Sequence, residues 1–240
     1  MKINSILPIL FILLILCFIQ RQNCYSQADL IKDVDGNSYH TITISKQLWL
    51  VENLSSTHFN DGTEIPLTIE NKLWKNLSTS GYCWYEGDST SNKKTYGALY
   101  NWYAVNTGKL CPLGWKVPSF EEWTTLTEYL KNNGFGYTGS GDKTAKSMAA
   151  KSGWQLNWES GTIGNDQVSN NSCGFTALPG GMRWFSGRFE SIGTIGWWWS
   201  STETNKKSAW LWTLGKDYVR PGRDIIEKTF GYSVRCIKDK

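Results

Sequence analysis

Leu110-Cys111-Pro112-Leu113-Gly114-Trp115-Lys116-Val117-Pro118-Ser119-Phe120-Glu121-Glu122-Trp123 passes from a rigid loop into a helix within a few residues. Ser119, with Glu122 three positions later, spells a capping box, in which each side chain satisfies one orphan amide of the first turn. Pro118 and Trp123 take the two positions of a hydrophobic staple. Phe120, Trp123, Leu126 and Leu130 then recur at helical spacing, and Asn132-Asn133-Gly134 predicts the stop. Pro112 and Pro118 fix the backbone on either side of Gly114-Trp115, which sends Trp115 into the core at a set angle. Cys111 heads the unit, placed to tie it to something distant.

Upstream, Asp33 to Leu54 reads as a hairpin. Asp35-Gly36-Asn37 is a turn signal, followed by Tyr39, Ile42 and Ile44, a break at Ser45-Lys46, and Leu48-Trp49-Leu50. Asp33, Asp35 and Asn37 have the opening spacing of a calcium loop, but Ser38 and Ile44 stand where that pattern needs Gly and Glu, so the turn is preferred. Residues 55–92 are polar, punctuated by Gly, Asn and Ser, and read as long ordered loop anchored by Trp74 and Tyr82-Cys83-Trp84-Tyr85. Leu99, Trp102 and Tyr103 share one face of a short amphipathic helix over 96–105.

Downstream of the central unit, a Gly-rich connection over 134–141 leads to a weak third helix near Thr144 to Ala150. The last third is strand-like. Gly196 to Thr202 and Ala209 to Leu214 are strong strand candidates, and Tyr232 to Ile237 reads as a closing strand with Tyr232, Val234 and Cys236 on one face. Helices early and strands late, without βαβ alternation, predict an α+β fold.

The first residues read as a targeting segment. Lys2 gives a positive start, and Ile6 to Ile19 is an apolar run broken only by Pro8, shorter than the roughly 20 residues that cross a bilayer. Small residues at Cys24 and Ser26 predict cleavage before Gln27. Neither Cys17 nor Cys24 follows a small residue, so soluble release is preferred to a lipid anchor. The leader is therefore 1–26 and the mature domain 27–240, a length suited to one domain. The formal charge of +4 includes Lys2 and Arg21, and both signs are interspersed. No basic stripe suggests nucleic acid or a membrane surface, and no stable membrane span is expected after leader removal. Four cysteines follow the leader: Cys83, Cys111, Cys173 and Cys236. In an exported chain they are read as two disulfides with three pairings open.

A series of motifs runs the length of the domain in fixed order. Asp35-Gly36-Asn37-x-Tyr39, Gln47-Leu48-Trp49, Glu52-Asn53-Leu54 and Tyr96-Gly97-Ala98-Leu99-Tyr100-Asn101-Trp102 precede the Cys111 to Trp123 unit. Gly174-Phe175-x-Ala177-Leu178-Pro179-Gly180-Gly181, Trp198-Trp199-Ser200-Ser201-Thr202 and Ser233-Val234-Arg235-Cys236 follow it. Together they resemble the Fibrobacter succinogenes major paralogous domain, found on exported bacterial proteins and similar to C-type-lectin-like and formylglycine-generating folds. The resemblance implies a C-type-lectin-like α+β domain, two main helices flanking small antiparallel sheets with long ordered loops. It also implies a Cys111–Cys236 bridge joining the helix unit to the last strand, which leaves Cys83–Cys173 as the second pair. Cys173 departs from the family pattern, which more often has a small polar residue there. No established activity comes with the resemblance.

Catalytic chemistry finds little purchase. His40 and His58 have no cysteine or carboxylate at ligand spacing, so no metal, cofactor or catalytic residue is expected. Residues 217–224 lack the cysteine pair that a formylglycine-generating oxidase needs, and the acidic loop motifs of calcium-dependent lectins are missing. The unusual feature is 14 Trp in 240 residues. Large rings filling a loop-rich core account for most of them. In a strand, however, Trp197 and Trp199 face one way and Trp198 the other, and both faces need not be covered. A non-enzymatic binding module for a glycan or a cell-surface protein is therefore the expected function. A structural surface protein is the alternative. Arg183, Trp184, Arg188 and Trp198 are the expected ligand residues, with Trp184 and Trp198 as stacking platforms and the arginines as donors.

Overall fold

The computed structural model describes residues 28–239; the expected leader over 1–26 and its expected cleavage site before Gln27 lie outside them. In chain order the early strands are β1 (Ala28–Lys32), β2 (Ser38–Ile44), β3 (Gln47–Leu50), β4 (Tyr82–Cys83), β5 (Leu99–Tyr100) and β6 (Trp115–Lys116). The later ones are β7 (Gly180–Arg183), β8 (Phe189–Ile192), β9 (Ile195–Glu203), β10 (Ser208–Gly215), β11 (Gly222–Glu227) and β12 (Ile237–Lys238). The helices are α1 (Asn71–Lys75), α2 (Ser89–Tyr96), α3 (Trp102–Val105), α4 (Phe120–Asn132) and α5 (Ala145–Met148).

Ten of these build two curled five-stranded sheets, one in the order β1-β2-β3-β12-β6 and the other in the order β11-β10-β9-β7-β8, and β4 and β5 pair as a separate two-stranded sheet. The molecule is mostly β. This corrects the expected α+β, C-type-lectin-like layout of two main helices flanking small sheets. Among the described residues only α4 is a helix of any length, and the other helices span between 4 and 8 residues.

Local chemistry accounts for α4. The Ser119 hydroxyl accepts from the Glu122 amide at 3.2 Å and the Glu122 carboxylate accepts from the Ser119 amide at 2.8 Å, which completes the capping box. Trp123, Leu126 and Leu130 are the buried face, each worth about 1.5–3 kcal/mol on burial. Trp123 stacks on Trp212 of β10 at 5.7 Å and packs against Trp49 of β3 at 5.0 Å, so the helix bears on both sheets.

The expected helix over 96–105 is a correction. Gly97 has φ +72°, and a Cβ there would stand 2.6 Å from the Leu54 carbonyl oxygen, which fixes an extended crossing. Leu99 and Tyr100 pair with β4, and only the single turn of α3 follows, capped by Asn101 on the Ala104 amide at 3.1 Å. The closing strand is likewise shorter than expected. Residues 232–236 thread between the sheets: Tyr232 bonds Tyr100, Ser233 bonds Trp197 and Trp199, and the carbonyls of Val234 and Cys236 accept from Leu54 and Leu50. The expected loop over 55–92 in turn contains α1, β4 and the start of α2.

Strand β9 shows where the interior lies. Trp199 joins a core cluster with Tyr100, Trp102 and Tyr232, whereas Trp198 joins the cluster around Trp123, Trp49 and Phe175. The alternation expected of Trp197, Trp198 and Trp199 is present, but both faces are covered. Cys111 and Cys236 form a disulfide across a separation of 125 residues. Cys83 and Cys173 do not form the second bridge. Both are buried, Cys83 against Trp74 and Leu99 and Cys173 in the separate cluster beneath α4.

Candidate functional site

Of the four residues expected to bind ligand, Arg183 and Trp198 are interior. Arg183 in β7 has no exposed surface. Its guanidinium donates to the carbonyls of Thr68, Ile69 and Gly187 and to Asn71 Oδ1 at 3.1 Å, between the rings of Trp74 (4.5 Å) and Phe189 (4.9 Å). It fastens the segment before α1 to the β7–β8 hairpin. Four of its five N–H donors are used inside the fold, and the group has no surface to offer a ligand.

The Trp198 indole N–H donates to Asn53 Oδ1 at 2.8 Å. The same oxygen accepts from Arg235 Nη2 at 3.0 Å, and Arg235 Nη1 reaches the Phe175 and Leu50 carbonyls at 2.7 and 3.2 Å. Asn53 Nδ2 donates in turn to the Tyr96 carbonyl at 2.9 Å and the Ser233 hydroxyl at 3.3 Å. Burial pushes the Arg235 guanidinium below its ordinary range. The motif residues Asn53, Trp198, Ser233 and Arg235 thus form one satisfied polar seam between the sheets, which is a structural role.

Trp184 and Arg188 do reach the surface, at the tip of the β7–β8 hairpin. Trp184 donates its indole N–H to Glu190 at 2.6 Å, Glu190 pairs with Arg188, and the Arg188 guanidinium stands 5.8 Å from the Trp184 ring. Phe230 packs on Trp184 at 5.1 Å. Arg188, Glu190 and Phe230 already engage the ring, so it is a poor stacking platform. Beside it lies an open cleft of about 430 Å³ with Cys83 among its lining residues. Burial pushes that thiol up to about 11, which keeps it protonated and unreactive at neutral pH.

The most exposed aromatic among the described residues was not one of the expected ligand residues. Trp158 is 88% exposed, flanked by Leu156 at 66%, with Val168 at 77% further along the same loop, residues 151–171. The loop backbone is held from inside. Lys146 of α5 is buried, and its ammonium donates to the carbonyls of Thr162 and Asp166 at 3.2 Å each and to that of Asn165. Burial lowers its pKa from the ordinary lysine value, against the pull of Asp166. Asn170 Nδ2 bonds the Ala150 and Ile163 carbonyls at 3.0 and 3.1 Å; Gln167 Nε2 donates to the Trp154 carbonyl at 2.8 Å, and Gln167 Oε1 accepts from the Trp154 amide at 3.3 Å. Outside contacts fix the loop to the sheet ends: the amides of Gln155, Ile163 and Gly164 donate to Gly193, Tyr218 and Lys216.

One signal in the chain pointed to Trp158. Its neighbours Asn157, Glu159, Ser160 and Gly161 are polar or small, and no strand or helix period places it on an apolar face. Elsewhere the polar groups serve the fold. Asp33 accepts from the amides of Asp35 and Asn37 and from the Tyr39 hydroxyl at 2.7 Å, which builds the turn. Asp35 accepts from Thr57 and His58, whose bonds outweigh the upward push of burial and leave its carboxyl below the usual range.

No curated protein and no solved structure matches the chain. The family model described as the Fibrobacter succinogenes major domain matches residues 42–238, from within β2 to the end of β12. The seam residues, both disulfide cysteines and the braced loop all fall inside that span, and the chain belongs to the Fibrobacter succinogenes major domain family.

Proposed function

We propose that this chain is an exported, non-catalytic binding module that presents Trp158 to a carbohydrate. The observation carrying the reading is an indole 88% exposed on a loop whose backbone is fixed by a buried lysine. A free indole face stacks on the apolar face of a sugar ring, and a backbone already ordered before binding loses little further entropy. Surrounding side chains such as Glu159 supply the polar rim that sugar hydroxyls require. Export is supported by the apolar run at the start of the sequence and by the disulfide, which persists in oxidising compartments.

A glycan array probed with the purified full chain tests the reading. Binding to at least one class of glycan is expected, and Trp158→Ala should lose it. An array without signal would favour the alternative, a structural surface protein with no small ligand.

A further inference from the structure

A second cleft, of about 270 Å³, opens between the C-terminal half of α4 and the turn joining β10 to β11. Its lining carries three cations, Lys131, Arg220 and Arg223, against two carboxylates, Glu128 and Asp142. The charges are unevenly spent. Arg220 Nε holds Asp142 at 2.5 Å, and its hydrogen bond keeps that carboxyl below the usual range. Lys131 reaches Glu128 at 3.7 Å. Arg223 makes no ion pair among the described residues; its guanidinium stands 5.3 Å from the Phe120 ring. Trp212 lines the same cleft and is only 4% exposed. One side of its ring stacks on Trp123.

We propose that this cleft binds one acidic sugar unit, a uronic acid, with the carboxylate on Arg223. A guanidinium matches a carboxylate with two parallel bonds, and Arg223 is the cation left without one. The indole N–H of Trp212 supplies a donor to a ring or hydroxyl oxygen. The paired carboxylates of Glu128 and Asp142 keep lone pairs that accept from hydroxyls. The volume lies just below the roughly 300–1,000 Å³ of drug-sized ligand sites, which suits a single ring. The residues are distinct from the Trp158 loop, and the proposal holds or fails without that reading.

Calorimetric titration of the full chain with glucuronate, glucose and acetate tests it. Glucuronate should bind about tenfold or more tighter than either of the others, since one charged hydrogen-bonded pair is worth about that factor. Arg223→Ala should weaken glucuronate by a similar factor, and Arg223→Lys, which keeps the charge but not the two parallel bonds, should recover only part of it. Equal affinity for glucose and glucuronate would overturn the proposal, as would acetate binding as tightly as glucuronate. Glucuronate affinity that survives Arg223→Ala, or no binding at all, would also overturn it.

Discussion

Trp198 and Trp158 carry the same side chain into opposite settings, and each belongs to a region in which a buried cation is held by backbone carbonyls. In the seam, Arg235 bonds carbonyls 60 and 185 residues away, and Asn53, the acceptor it shares with Trp198, is equally remote. In the loop, Lys146 bonds carbonyls only 16 to 20 residues away. The same device therefore acts on two scales. Over a long separation it closes the fold and leaves its indole no freedom. Over a short one it shapes a surface loop and leaves the indole outside.

The comparison breaks most visibly at the seam. Cys236 adjoins Arg235, and the bridge to Cys111 closes a long loop, so replacing both cysteines with serine should cost about 4–5 kcal/mol in the chain-entropy account. Urea unfolding curves of the double variant measure this. A loss under about 1 kcal/mol would mean that the seam holds the chain ends without the bridge. Trp198→Ala should follow closely, at about 3–5 kcal/mol, because it opens a cavity and leaves Asn53 with one donor fewer. The same unfolding experiment reads it.

Alkali should act on the interior as well. Burial holds the Cys83 thiol up to about 11 from its usual 9.0, and it raises the Tyr39, Tyr100 and Tyr232 hydroxyls above their usual 10.0. All four are raised in the fold, so their contribution is complete below about pH 9 and is lost as pH climbs through the folded values. Unfolding free energy should therefore be level from neutrality to about pH 9 and fall steadily above it. A flat profile to pH 11 would show that these groups are not held in their neutral forms.

How much of this was legible depends on the range of the interactions. Helix α4 could be read because its cap and its apolar spacing are local, and β9 and β10 because alternation is local too. The Cys111–Cys236 bridge came from the motif resemblance. Alternation gave the direction of Trp197, Trp198 and Trp199 but not what covers each face, and β9 proved covered on both. Asn53 and Arg235 are far apart in the chain, and nothing near either one announces that they meet. The stretch 232–236 has strand composition, yet it pairs with two sheets in turn, which no single period encodes. Trp158 lies in a polar stretch without helical or strand period, so no periodic pattern marks it, and its exposure follows only from where the loop is fixed.

Smaller effects belong to the loop. Lys146→Met removes three bonds to carbonyls and should cost roughly 1–3 kcal/mol. The loss should appear first as faster amide hydrogen exchange over residues 157–166, with β9 and β10 still protected. Exchange that accelerates everywhere at once would place Lys146 with the seam.

The most direct test sets binding against stability at the one residue where they should separate. On a glycan that the wild-type chain captures, Trp158→Ala should abolish measurable binding while its unfolding free energy stays within about 0.5 kcal/mol, as expected of an exposed side chain. Binding that persists in a folded Trp158→Ala variant would contradict the account.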